Sequence, residues 1–148
     1  MKNRISVLGA ALVLGSVCIG CSEGPTYEPG VIVKGKLLHA GAPLQAPQNI
    51  PGATVNVQLT PVNPGSGAEP WTAPLAADGA FEIVGAQNGI KPGRYKVGLS
   101  QATYLEDQKL ATQFSPENTP IEVEVPADKI GDTHDLGVID LAEAAKRN

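Results

Sequence analysis

Residues 53–60, with the sequence ATVNVQLT, decide the fold. The apolar side chains Val55, Val57 and Leu59 alternate with polar ones, and a period of two predicts a β-strand with one buried face. The same alternation predicts further strands at 31–37, 81–83, 95–99, 121–125 and 134–141. Short strands separated by frequent turns indicate an all-β protein with about seven strands.

Composition and turn residues support this interpretation. A chain of 148 residues has room for one domain, and its 17 Gly and 13 Pro leave little room for long helices. Aromatic residues make up only 4%, so the core is expected to consist mainly of Val, Ile and Leu. Asp78 and Gly79 mark a hairpin turn, and residues 91–93 mark another. In the last strand, Leu136 and Val138 are predicted to face the core.

Two long segments are predicted to be loops. Residues 61–74 are rich in Pro, Gly and Ser, and Trp71 within them either docks on the end of the sandwich or is offered to a ligand; docking is favoured. Residues 101–118 form the least regular segment, in which 104–114 can hold one or two helical turns, with Leu105, Lys109 and Leu110 available for packing. The tail 142–148 is predicted to be a frayed helical turn. The two loops are the expected contact surface of the domain.

The first twenty residues have the pattern of an export signal. Lys2 and Arg4 precede a charge-free run from residue 5 to Gly20, which is shorter than the roughly 18 to 20 residues that a membrane-spanning helix needs. The end of this run, Ile19 and Gly20 before Cys21, resembles the lipobox of bacterial lipoproteins. That resemblance implies cleavage of a signal peptide at 1–20 and diacylation of Cys21.

The remaining features of this region agree with a lipid anchor. Cys18 stands where the lipobox usually has Leu, and a redox pair between Cys18 and Cys21 is the weaker alternative because such a motif opens a helix after a strand. Ser22 resembles the sorting signal of outer-membrane lipoproteins. Residues 21–30 are expected to tether the domain, so the protein is predicted to be exported and anchored to a bacterial membrane, the outer membrane by this signal.

The turn and strand residues between 31 and 141 resemble the carboxypeptidase regulatory-like domains, which are similar in fold to transthyretin. The residues that carry the resemblance are Val33 to Leu37, Gly41, Pro43, Leu44, Pro51 to Val57, Asp78, Gly79, Phe81, Ile83, Pro92, Gly93, Tyr95 and Val97. Residues 115–125 further resemble a subset of small bacterial lipoproteins of this kind. The resemblance implies a Greek-key β-sandwich of the transthyretin, or prealbumin-like, type over 31–141, and no activity.

Chemical motifs point to no enzyme, cofactor or metal. The net charge of −4 and the pI near 5.1 argue against nucleic acid as a partner. Neither His39 nor His134 has the neighbours of a zinc-peptidase motif. Asp132, His134 and Asp135 cluster in sequence and could hold a cation, although a solvated strand start is the better interpretation. An isopeptide bond from Lys34 or Lys36 to the last strand, with Glu82 as proton shuttle, is a remote alternative, because that strand carries Asp140 where adhesin domains of similar fold usually have Asn.

These patterns predict a non-enzymatic, lipid-anchored module of the cell envelope. It would act in structure or in protein recognition, with the membrane contacted through the lipid on Cys21 and an envelope protein or glycan as its possible partner. The alternative is a carbohydrate-binding β-sandwich, in which Trp71 or Tyr104 would stack on sugar rings. Exposure of either aromatic side chain on a flat face would favour the alternative.

Overall fold

The computed structural model describes residues 28–47, 49–86, 88–102, 105 and 107–146. Within them the chain forms two β-sheets, two short α-helices and two single-turn 3₁₀ helices, Pro64–Ser66 and Ala127–Lys129, which confirms the predicted all-β sandwich. The described residues contain eight strands, one more than expected. The strands are β1 (Ile32–His39), β2 (Ala42–Pro43), β3 (Asn56–Pro61), β4 (Trp71–Pro74), β5 (Ala80–Ile83), β6 (Gly93–Ser100), β7 (Glu122–Val125) and β8 (Thr133–Asp140), and the helices are α1 (Gln108–Gln113) and α2 (Leu141–Lys146).

Strand β1 is the centre of the first sheet. On one edge it pairs in parallel with β8 over nearly its whole length, from Ile32 opposite Thr133 to Leu38 opposite Asp140. On the other edge it pairs antiparallel with both β5 and β2. Leu37 shows that these two share an edge, because its N–H donates to the carbonyl of Gly79 while its own carbonyl accepts from the N–H of Leu44. The first and last strands of the domain are therefore neighbours.

The second sheet is antiparallel, with the strand order β4-β3-β6-β7. Its inward side chains come from the alternating positions that the sequence predicts, since Val57, Leu59, Tyr95, Val97 and Leu99 are all buried. Burial of alternate residues from both sheets forms one core between them. Each aliphatic side chain among them contributes about 1.5–3 kcal/mol to the stability of the fold when it is fully removed from water.

Two close approaches shape this core. The ring of Phe81 lies over Gly35, where an added Cβ would be 2.8 Å from the ring. The buried Tyr95 side chain ends in a hydroxyl that donates to the carbonyl of Lys91, 2.7 Å away. Burial raises the pKa of this hydroxyl, so it stays protonated and keeps its donor role at any ordinary pH.

The predicted loop at 61–74 is shorter than expected. Residues 71–74 form the edge strand β4, with Trp71 opposite Leu59 and Ala73 opposite Val57. Pro74 ends the strand, and this edge position tolerates proline because no further strand needs its missing N–H. The proline and glycine content of the segment concealed a strand of four residues.

The predicted helical turns between 101 and 118 are confirmed in part. Helix α1 begins after Asp107, whose carboxylate accepts from the N–H groups of Lys109 and Leu110 as an N-cap. Leu110 is buried as expected, whereas Lys109 is exposed and does not pack against the core. The helix packs through only one fully buried side chain, so it covers the edge of the core rather than adding a layer.

The segment that follows α1 continues the edge of the second sheet. The N–H of Leu99 donates to the carbonyl of Phe114, and the N–H of Val97 donates to the carbonyl of Ile121. The buried Thr119 hydroxyl donates to the carbonyl of Val97 at 2.6 Å, while the N–H of Ile121 donates to the same hydroxyl at 3.3 Å. A side chain therefore replaces the backbone ladder where the chain is irregular.

The predicted inward position of Val138 is wrong, because its side chain is 63% exposed. A bulge at Gly137, with a φ of 71°, inserts one residue into β8 between the pairs Lys34–Asp135 and Lys36–Val138. The extra residue turns Val138 to the outer face beside Lys36, while Leu136 and Ile139 pack against the core. Strict alternation fails where a strand carries an extra residue.

The tail 142–148, predicted to be a frayed helical turn, is helical up to Lys146, in the short helix α2 that begins at Leu141. Residues 147 and 148, together with the predicted signal peptide, Cys21 and Tyr104, lie outside the described residues. In the part of the chain that the structure describes, no helix is long and apolar enough to cross a membrane.

Candidate functional site

The sandwich has two ends of different composition. We call the end where residue 30 enters the domain the tether end; it carries the connections 62–70, 84–92 and 126–132. The opposite end, here the far end, carries 40–55, 75–79, the start of the 101–118 segment and α2. The two loops predicted to form one contact surface start from opposite ends. The first begins at residue 61, which pairs with Tyr95 near the start of β6. The second follows Ser100, the last residue of β6, which pairs with residue 56.

A groove that we call the seam runs between β7 and β8. In the described residues β7 pairs with β6 alone and β8 with β1 alone, so each strand leaves one edge free where the two sheets meet. The groove encloses about 500 Å³, and it is lined by Pro120, Ile121, Glu122, Val123, Leu136, Val138, Ile139, Asp140, Glu143 and Ala144. Most of its lining is aliphatic.

Asp140 closes the far end of the seam and is fully engaged in backbone hydrogen bonds. Its carboxylate accepts from the N–H groups of Gly41 at 2.8 Å, Ala142 at 2.9 Å and Ala40 at 3.1 Å. These bonds, led by that from Gly41, hold the pKa of Asp140 below its ordinary value. One side chain therefore caps α2 and fixes the turn after β1, in which Ala40 adopts a positive φ of 51°.

The acidic residues on the rim of the seam have partners of their own. Glu122 forms an ion pair with Arg94, and Glu143 forms one with Lys146 at 2.6 Å. All four side chains are exposed, Glu122 at 36% and the others above 60%, so these pairs contribute little stability. The third acidic residue of the lining, Asp140, is held by backbone N–H groups instead of a cation, so an occupant would be selected by shape and backbone pairing more than by charge.

The outer face of the first sheet holds a wider and shallower depression of about 650 Å³. Two exposed ion pairs cross it, between Lys34 and Asp135 at 3.5 Å and between Lys36 and Asp78 at 3.3 Å. The pKa of Asp135 is lowered first by a hydrogen bond from the N–H of Gly137 and then by Lys34. The depression is larger than the seam, but it lies open on a face where both lysines are already paired with carboxylates.

The isopeptide alternative finds only part of its residues together. Lys34 lies opposite Glu82 on β5, but the last-strand candidate Asp140 lies opposite Leu38, and the residue of β8 opposite Lys34 is Asp135. Amide formation requires a neutral amine and a protonated carboxyl, which burial in an apolar site would favour. Here Lys34 and Asp135 are 51% and 56% exposed, and the lowered pKa of Asp135 keeps its carboxylate charged. The geometry therefore does not favour condensation.

The histidines and the acidic cluster do not form a metal site in the described residues. His134 lies opposite Val33 at the start of β1, whereas His39 is the last residue of β1, so the two are roughly 20 Å apart along parallel strands. Asp135 is occupied by Lys34 and the N–H of Gly137. No group of three or more possible metal ligands occurs among the described His, Cys, Asp and Glu side chains.

The predicted ligand contacts lie apart from the seam. Trp71 is half-buried, shares the inward face of β4 with the buried Ala73 and packs against the core. In that position it presents less ring surface for stacking than an exposed aromatic residue would. Tyr104 and the predicted lipidation residue Cys21 are outside the described residues, so their roles remain predictions. No local pattern in the sequence indicates the seam, because it depends on the pairing of β8 with β1, about a hundred residues away.

The fold and the seam define the class of the molecule as a two-sheet β-sandwich with one open side between its sheets. Comparison with protein-family models, with curated proteins and with solved structures finds no match for the chain.

Proposed function

We propose that this protein is a non-enzymatic, lipid-anchored module of the cell envelope that recognises a partner protein at the seam. The observation that carries the proposal is the pair of free strand edges, on β7 and β8, above an aliphatic floor. A free edge presents unpaired N–H and C=O groups, and an extended peptide can add to it as a further strand.

The shape of β8 limits where such a peptide would bind. The bulge at Gly137 interrupts the strand, and bulges protect edges from indiscriminate pairing. The part that remains suited to pairing is Val138 to Asp140, which faces Ile121 and Val123 across the seam. The favoured occupant is a short extended segment with apolar side chains at alternate positions, since these would reach the floor on one side only.

The anchor and the family belong to the same proposal. The lipobox-like residues before Cys21 support export and acylation, with the outer membrane as the destination suggested by Ser22. The turn residues from Gly41 to Gly93 support a carboxypeptidase regulatory-like domain with the Greek-key connections of the transthyretin type. Such modules lack a catalytic centre, and the dispersed histidines of this chain agree with that role.

The test is site-specific photocrosslinking in intact envelopes. A photoreactive amino acid replaces Ile121 or Val138 in the seam or, as the control, the exposed Thr72 on β4. Both seam positions are expected to capture the same protein through one extended segment, which mass spectrometry of the crosslinked peptides identifies. Thr72 is expected not to capture it.

Matched charge variants separate pairing from mere proximity. Val138→Lys places a charge at the free edge and should abolish the crosslink from Ile121, whereas Thr72→Lys should leave it unchanged. Equal capture from Thr72, or a crosslink that survives Val138→Lys, would show that the seam is not the recognition site. A Cys21→Ser form that still sediments with membranes would contradict the lipid anchor.

A further inference from the structure

The tether end carries exposed aliphatic side chains around the point where the chain enters the domain. The described residues include four exposed large hydrophobic side chains, Ile50, Val84, Ile130 and Val138. Val84 and Ile130, 42% and 45% exposed, belong to the tether end, whereas Val138 lies at the seam and Ile50 at the far end. Two of these four exposed side chains thus lie at the same end of the sandwich, and a surface that this end contacts would explain their exposure.

The backbone of Gly30 is hydrogen-bonded to both of the loops that carry these side chains. The N–H of Gly30 donates to the carbonyl of Asn88, and its carbonyl accepts from the N–H of Gly131 at 2.8 Å. Gly30 is buried, and an added Cβ would be 2.5 Å from the backbone of Gly89. The chain therefore leaves the domain between two loops that it holds in place, and each loop presents one of the aliphatic side chains.

The length of the tether brings this end to the membrane. Cys21 precedes Gly30 by nine residues, which can span at most about 30 Å when fully extended. Strands of eight residues make the sandwich itself about 27 Å long. The tether end is thus the end that an acylated Cys21 keeps within reach of the bilayer surface.

We propose that the tether end rests on the lipid surface, with Val84 and Ile130 inserted among the headgroups and the upper acyl chains. This inference rests on the lipid anchor proposed above. Lys91 and Lys129 lie at the same end, but so do Glu69, Asp128 and Asp132, and all five are exposed. An excess of carboxylates gives no net attraction to an anionic surface, so burial of the aliphatic side chains holds the contact.

In this orientation the tether end, which contacts the lipid, and the seam, which binds the partner, are separate surfaces. Strands β1 and β8 run in parallel away from the tether end, so the far end and the Asp140 side of the seam point away from the bilayer. A partner segment could then reach Val138 and Ile121 without displacing the domain from the lipid.

The experiment uses the full-length acylated protein in vesicles of phosphatidylethanolamine and phosphatidylglycerol. The sequence has two cysteines, Cys18 and Cys21. Cleavage before Cys21 removes Cys18, and acylation blocks the thiol of Cys21, so the mature chain has no free thiol. Val84→Cys, Ile130→Cys and the control Ile50→Cys are labelled with a fluorophore, and quenching by lipids that carry a nitroxide near the headgroup is measured. Quenching at 84 and 130 is expected to exceed that at 50 several-fold and to persist at high salt.

Each result decides between the proposals. Equal, weak quenching at all three positions in protein that floats with the vesicles would overturn the resting contact and leave the anchor intact. Quenching that salt removes would show an electrostatic contact instead of aliphatic insertion. Failure to float would overturn both. The thermal transition of each labelled variant, compared with that of the unlabelled protein, shows that the labels have not disturbed the fold.

Discussion

At the scale of single residues, several turns of this domain depend on one side chain that accepts backbone hydrogen bonds. Asp140 joins the turn after β1 to the start of α2, and Asp78 accepts from the N–H of Ala80 while it pairs with Lys36. The pKa of Asp78 is lowered by that backbone bond first and by Lys36 second. Ionised carboxylates therefore hold two turns at the far end, the one after β1 and the one before β5.

Replacement of Asp140 by Ala should lower the melting temperature at neutral pH and cost less in acid. A folded-state pKa below the unfolded value of about 3.9 means that the ionised side chain stabilises the fold fully above that value, and that this contribution is lost as the pH falls through the folded pKa. Thermal melts of wild type and Asp140→Ala across acidic pH test this. Asp132→Ala, at an exposed position, is the control. An Asp140→Ala deficit that stays constant at every pH would contradict the role given to its charge.

At the scale of elements, the irregular cover of the second sheet depends on a glycine. Gly98 is buried on the outer side of β6, where an added Cβ would be 2.7 Å from the Cα of Pro116 and 2.9 Å from its nitrogen. Both contacts are with backbone, which cannot rotate away as a side chain could. The close passage of residues 114–116 over β6 therefore requires the absence of a side chain at this position.

Gly98→Ala should destabilise the protein by about 1–3 kcal/mol, the range expected for an overpacked site. The control is Gly65→Ala, because an added Cβ at Gly65 meets open space and should change stability by no more than about 0.5 kcal/mol. Chemical denaturation of both variants measures the difference. Equal stability of the two would show that residues 114–116 can move aside without cost.

Alternation of side chains predicted the long strands because their buried faces are regular. The inward positions of β3, β5 and β6 could be read directly, and the fold class followed from them. Strand β4 could not be predicted, since four residues that end in proline give too short a pattern. The exposure of Val138 could not be predicted either, because the bulge at Gly137 shifts the register after Asp135. The seam follows from β1–β8 pairing, which no local pattern contains.

At the scale of the whole molecule, the domain is closed by its first and last strands. The ladder between β1 and β8 covers Ile32 to Leu38, and Leu136 and Ile139 pack against the core from β8. Removal of β8 would expose one full edge of the central strand of the first sheet. Pairing of β1 with β8 thus joins the two ends of the chain segment that contains all the other strands.

A chain that ends at Asp132, and so lacks β8 and α2, should lose its cooperative thermal transition. A chain that ends at Leu141 keeps β8 and the buried side chain of Leu141, and it should still melt cooperatively at a lower temperature than the full chain. Circular dichroism of both forms provides the measurement. A cooperative transition in the shorter form would mean that β1 does not need β8 to fold.

The parallel pairing of β1 with β8 also bears on biosynthesis. The first strand to be made lacks its neighbour until the ribosome has added residues 133–140, about a hundred residues later. Until then the first sheet cannot be completed, and an incomplete sheet is expected to leave the nascent polypeptide loose enough for a secretion channel to thread. For a protein proposed to leave the cytoplasm, this pairing would delay folding until β8 has been made.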